Sequence, residues 1–347
     1  MTSEFNVYAA RVKHIVFKSS PPPSLTSETL STSPTFPHLK SAVIQGDGCL
    51  LPPQFLLSSA LQDLDVDLRG TRKGAGVLQR SQRLAETLCD IPSLTTTLQK
   101  LRIKGFMATQ LDHIVPSFAS LRSLTLLTGS SVTAGTLAAL GQLMDLEDLY
   151  VHASCVDADD FTRAISTQTA QPFSSLRSLR IRAQRPLFCA ILDVVPRGTL
   201  SSLYLETEEA GQGPSAWHPT FTLLAAKASD TLLDLTLDQI LDPEDPEANP
   251  TTPAADPRLA LTALQPLAAL RALRRLTLDA ALPPALTDAD IDTLARWWPA
   301  LEHLTLGALP DGDAEEPALT HAALATLARR CPRLRTLALP QIGRAHV

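Results

Sequence analysis

Apolar residues recur along this chain at the first, fourth and sixth places of a six-residue unit, Leu-x-x-Leu-x-(Leu/Ile/Val). The unit reads Leu61–Leu64–Val66, Leu98–Leu101–Ile103, Leu121–Leu124–Leu126, Leu146–Leu149–Val151 and Leu176–Leu179–Ile181. It continues as Leu200–Leu203–Leu205, Leu232–Leu235–Leu237, Leu273–Leu276–Leu278, Leu301–Leu304–Leu306 and Leu334–Leu337–Leu339, with a degenerate copy at Leu39–Ala42–Ile44. A strand turns successive side chains to opposite faces, so the second and third apolar places of each unit point one way and the residues between them the other. Each unit then needs a segment that returns the chain. Residues 134–143, 159–166, 187–195, 288–297 and 320–330 space their apolar side chains three to four apart, which predicts helices. Thr287-Asp288 and Thr320 read as helix N-caps.

One such unit in a leucine-rich chain means little, but ten in series define a repeat. No unit can bury its apolar face alone, so neighbours must stack. The expected fold is therefore an α/β leucine-rich-repeat solenoid, with ten or eleven parallel strands on a concave face and helices on the convex one. Starts are usually 23 to 33 residues apart, and two gaps are longer. The 37 residues from Leu61 to Leu98 hold a basic stretch at 69–83 and a helix near 77–89. The 41 residues from Leu232 to Leu273 hold 238–257, with six acidic residues, five prolines and no basic residue, which predicts a loop insertion. The domain reading is an N-terminal segment with a Pro/Ser-rich linker at 1–37, a repeat domain at 38–340 and a non-native tail at 341–347.

Composition narrows the function. Aromatic residues are 5% of the chain, so the core is aliphatic. A net charge of −6 lacks the basic footprint of a nucleic-acid binder. No apolar run reaches the length of about 18 residues that marks a membrane span. The five cysteines (Cys49, Cys89, Cys155, Cys189, Cys331) never form a CxxC pair, which fits reduced thiols in the cytoplasm or nucleus. There is no GxSxG, HExxH, P-loop or dinucleotide fingerprint. Asp288-x-Asp290-x-Asp292 opens like a calcium loop, but Thr293 and Pro299 stand where glycine and glutamate are required. An acidic first helical turn explains it better. The expectation is a protein-binding scaffold: no enzyme, no metal, no cofactor, no nucleic acid, no membrane.

Two repeats carry more than leucines. LTDADIDTLARWWPALEHLTL (286–306) and LTHAALATLARRCPRLRTLAL (319–339) resemble the cysteine-containing repeat subtype of F-box proteins, the substrate adaptors of Skp–cullin ubiquitin ligases. Cys331-Pro332 keeps that subtype's helix-ending pair, whereas Trp298-Pro299 departs from it. YAARVKHIVF and FPHLKSAVI near the N-terminus are similar to the segment that follows the F-box in fungal F-box/leucine-rich-repeat proteins. The resemblance implies a substrate-recognition domain. It implies docking to the Skp–cullin core only if an F-box precedes Met1, since seven residues stand before Tyr8. QIGRAHV at the C-terminus reads like a translated adapter, and the chain is read as a fragment. A scaffold with no ubiquitin link is the alternative.

The outward strand positions give the candidate site. They are Asp148, Tyr150 and His152 on one rung, Ser178, Arg180 and Arg182 on the next, and Ser202, Tyr204 and Glu206 on the third. Tyr150, Arg180 and Tyr204 hold the same place in successive repeats and are expected to form one column. Two of the chain's three tyrosines fall in it. Tyrosine and arginine dominate binding energy at protein interfaces, so Asp148, Tyr150, His152, Arg180, Arg182, Tyr204 and Glu206 are the candidate partner-binding residues. A column satisfied by its own cation–π stacking is the competing reading, and both can hold at once. Nearer the N-terminus, Asp63, Asp65 and Asp67 face Lys100, Arg102 and Lys104 on the next rung, which predicts compensation between rungs.

Overall fold

The structure is a computed structural model that describes residues 7–18, 35–45, 55–56, 58–69, 75–105, 107, 111–168, 171–208, 217–239, 259–279, 285–307, 319–339 and 342–343. The linker at 19–34, most of the acidic insertion (240–257), Cys49 and most of the tail lie outside them. The chain divides into two units, Met1–Leu176 and Arg177–Val347.

In the first unit the strands are β1 (His14–Phe17), β2 (Ser41–Gln45), β3 (Asp63–Asp67), β4 (Lys100–Lys104), β5 (Ser123–Leu127) and β6 (Asp148–His152). All pair in parallel, in chain order. Its helices are α1 (Ala75–Leu94), α2 (Leu111–Ile114), α3 (Ala134–Gly141) and α4 (Ala158–Ser166). The register sets leucine against leucine: Leu64 faces Leu101, which faces Leu124 and then Leu149. These side chains are buried, as are Val66, Ile103, Leu126 and Val151 two places on. The residues between them stay half-exposed or exposed. Strands β2 to β6 thus each have one face in an aliphatic core and one face open, as a two-residue side-chain period dictates.

The second unit repeats the plan with β7 (Ser178–Arg182), β8 (Ser202–Thr207), β9 (Asp234–Gln239), β10 (Arg275–Asp279), β11 (His303–Leu306) and β13 (Thr336–Ala338). These too are parallel and in chain order. Here β12 (Leu319–Thr320) and β14 (Ile342–Gly343) form a separate two-stranded pair. The helices are α5 (Arg185–Val194), α6 (His218–Ala228), α7 (Leu261–Leu264), α8 (Asp288–Trp297) and α9 (His321–Arg330). Each unit is an α/β solenoid, the architecture the leucine pattern predicts.

Among the described residues each unit holds six strands in this parallel order, twelve in all where the pattern predicted ten or eleven. The extra one is β1, whose HIVF has no leucine triplet to announce it. The degenerate copy at Leu39–Ala42–Ile44 is a true rung, with all three side chains buried. In the last rung Leu334, Leu337 and Leu339 are only half-buried.

Two devices lock neighbouring repeats. The first joins an aspartate at the start of one helix to the N-cap threonine of the next. Asp288 accepts from the Thr320 amide at 2.8 Å and its hydroxyl at 2.5 Å, and Asp112 accepts from the Thr133 hydroxyl at 2.8 Å. The triple aspartate of α8 is thereby explained. Asp290 closes a capping box with Thr287, and Asp292 binds Arg296 and Arg330. The second device sits at the helix ends. Trp298 is wholly buried and its Nε1 donates to the Leu267 carbonyl at 3.1 Å. Cys331, in the matching place one repeat on, lies with Sγ 3.6 Å from the Trp298 carbonyl. Tryptophan therefore keeps the donor-to-carbonyl link that cysteine makes, with a far larger side chain. Burial raises the Cys331 thiol pKa, which suits a packed, unreactive side chain.

Candidate partner-binding face

The open face of the second unit is built by the outward residues of β7, β8 and β9. Their register places Arg180 opposite Tyr204, and Arg182 opposite Glu206. On the other side Tyr204 faces Thr236, and Glu206 faces Asp238. The Arg180 guanidinium carbon lies 4.0 Å from the centre of the Tyr204 ring. The far end of that ring is fixed too, because its hydroxyl donates to Asp238 Oδ2 at 2.6 Å. Burial and this hydrogen bond push the Tyr204 phenol well above its ordinary pKa, so it stays a neutral donor.

Behind this stack lies a carboxylate. Glu206 is 4% exposed, an unusual burial for a charged side chain. Arg182 meets it at 3.1 Å, Arg180 approaches to 3.9 Å, and Arg182 also binds Glu208. Burial is the largest influence on the Glu206 carboxyl and raises its pKa, and the negative charge of Asp238 adds to the rise. Its two arginines oppose both. Arg180, Tyr204, Glu206 and Arg182 therefore form one connected group, held rigid by stacking and ion pairs.

The remaining candidates belong to the first unit. The Tyr150 hydroxyl lies 3.2 Å from His152 Nε2, and the two rings meet edge to face at 5.4 Å. Tyr150 faces Thr125 on β5. Asp148 is exposed at the start of the same strand. Burial first, and the nearby Glu147 second, raise its carboxyl pKa. Of the expected column, Arg180 and Tyr204 stand in register and stacked in the second unit, while in the first unit Tyr150 pairs along its own strand with His152. Pairing between charged rungs is present as well: Asp65 meets Arg102 at 3.2 Å and Lys104 at 3.9 Å.

Sequence counting missed Asp238 and Glu208. Asp238 could have been found by extending the count one rung, since it follows Leu237 as Glu206 follows Leu205. In the sequence it is also the first residue of the acidic run 238–257, which masks its place on the rung. No family model matches the chain, and no curated protein matches it closely enough to establish kinship. Among the described residues no group of three or more histidine, cysteine, aspartate or glutamate side chains could hold a metal ion. Among them, too, no helix is long and apolar enough to cross a membrane. What the face presents chemically is a fixed ring, a flat cation and carboxylates at set spacing.

Proposed function

We propose that this chain is a protein-binding scaffold whose open strand face receives a partner protein. The observation that carries this reading is the Arg180–Tyr204 stack, with the tyrosine hydroxyl tied to Asp238. Interface energy concentrates in arginine and aromatic side chains, and side chains already held in one conformation lose little entropy on binding. Arg180 nevertheless keeps 43% of its side chain exposed, so the stack is preorganised but still reachable.

Within that reading, the repeats at 286–306 and 319–339 favour the substrate-recognition part of an F-box ubiquitin-ligase adaptor. A regulatory scaffold with no ubiquitin link uses the same face. Sequencing the transcript upstream of Met1 separates them. An F-box there, with co-purification of the Skp–cullin core by the full-length product, supports the adaptor, and an open reading frame without one leaves the scaffold.

The face itself is tested by affinity capture. Arg180→Ala and Tyr204→Ala should each weaken partner capture by about tenfold or more, as truncating a central interface residue does. Arg163→Ala, on exposed α4 away from the strands, should leave it unchanged. Unchanged capture by both strand variants, with unaltered melting temperatures, moves the site elsewhere.

A further inference from the structure

The proposed face has one stretch whose shape and charge differ from the rest. At the central outward position, β9, β10 and β11 carry Thr236, Thr277 and Thr305, which lie in register on adjacent strands. All three are half-exposed. Longer side chains stand on both sides of this row. On the side of the strand starts, Asp234 and Arg275 neutralise each other at 2.9 Å. On the side of the strand ends stand Glu206 and Asp238. Tyr204 occupies the same row on β8 and leans over to Asp238, so its ring closes that end.

The result is a shallow track with a floor of small hydroxyl side chains, running across the strands. Parallel strands lie about 4.8 Å apart and an extended chain rises about 3.3 Å per residue. A peptide crossing from β8 to β11 therefore presents roughly four or five residues to it. The floor is too small-featured to reward bulky side chains, and its hydroxyls can hydrogen-bond a backbone lying over them.

The two walls are not equivalent. The Asp234–Arg275 wall is neutral. On the other, Arg182 offsets Glu206, while Asp238 meets no cation among the described residues and only the Tyr204 hydroxyl bonds to it. That hydroxyl fixes the carboxylate in place and leaves its charge intact. A carboxylate held still beside a shallow track favours a cation arriving from outside.

Building on the partner-binding reading, we propose that this track binds an extended segment of a partner protein, small residues over the threonines, with an arginine or lysine reaching Asp238. A cationic segment gains Coulomb attraction at a site whose charge is already paid for in the free protein, and like charge excludes acidic segments.

Random linear peptides displayed on phage and selected on the whole chain provide the test, followed by fluorescence polarisation with the strongest binder made synthetically. The enriched peptides should carry arginine or lysine among small residues. Their affinity should fall on raising salt, and by about tenfold with Asp238→Asn, which keeps an oxygen for Tyr204 but removes the charge. Thr277→Trp should block the floor, whereas Thr277→Val, which keeps the shape and loses one hydroxyl, should weaken binding only by about a few-fold. Enrichment of acidic or purely apolar peptides overturns the inference, as does insensitivity to Asp238→Asn. If such peptides still depend on Arg180 and Tyr204, the partner-binding reading survives without it. Peptides indifferent to every strand-face variant, or no enrichment at all, defeat both.

Discussion

Replacing Trp298 by alanine should destabilise the second unit by about 3–5 kcal/mol, the range for emptying a large buried aromatic site. Trp298 is fully buried, and its ring packs edge to face on Trp297 at 5.7 Å. Its indole N–H is also the only hydrogen in that side chain that can satisfy a carbonyl, and it does so at Leu267 in the preceding repeat. Alanine therefore leaves a cavity and removes one of two hydrogen bonds to the Leu267 carbonyl, which keeps the one from the Leu270 amide at 3.0 Å. In a solenoid each repeat is held by its neighbours, so the loss falls on an interface and not on one helix alone. Urea unfolding followed by tryptophan-independent circular dichroism measures it. Trp298→Phe, which refills most of the volume, should lose about 0.5–1.5 kcal/mol for the one hydrogen bond removed. A cost below about 1 kcal/mol for alanine would mean that the site collapses freely and that Trp298 does not clamp the repeats.

A second large effect is expected at Gly105, which ends β4. Its φ is +100°, and a Cβ built there would lie 2.9 Å from the Leu68 carbonyl carbon and 3.0 Å from the Arg69 nitrogen. Those are backbone atoms of the adjacent rung, so no side-chain rotation can make room. Gly105→Ala should cost about 2–3 kcal/mol, since conformational strain and steric contact act together. Gly129 separates the two. Its φ is +63° but no atom lies within 4 Å of a built Cβ. Gly129→Ala should therefore show strain alone, about 1–2 kcal/mol. Equal losses at the two positions, read from the same urea curves, would contradict the close approach of β3 and β4 at this turn.

The leucine triplets made most of this fold legible, because period and spacing are local properties of the chain. Leu64, Leu101 and Leu124 come into register simply because their units begin alike. Helix starts were legible for the same reason: Thr287 and Thr320 cap where a threonine precedes an apolar run. Strand β1 escaped because His14–Phe17 is defined by pairing to β2, which no local pattern records. The role of Trp298 escaped too. As a departure from the Cys-Pro pattern it looked like a loss, and only its reach to Leu267 shows the same bond made by another donor.

The candidate site divides along similar lines. That Arg180 and Tyr204 would be neighbours followed from counting, since parallel rungs align equal positions. That Glu206 would be buried did not follow, because its depth depends on how Arg182 and Arg180 lie against it. Asp238 was hidden by its context: it opens an acidic, proline-rich run in the sequence, yet it lies within β9. Charge compensation between β3 and β4 was legible in the alternation of acidic and basic rungs, and Asp65 with Arg102 shows it.

The central claim is that the partner meets the open strand face, and photo-crosslinking addresses it most directly. A benzophenone amino acid placed at Ser202 or Thr236 stands on outward positions of β8 and β9. The same group at Thr162 or Thr222 stands on exposed positions of α4 and α6. Crosslinks to one partner from Ser202 and Thr236, and none from Thr162 and Thr222, are the predicted result. Crosslinks from the helix positions alone, with the strand positions silent, would contradict it.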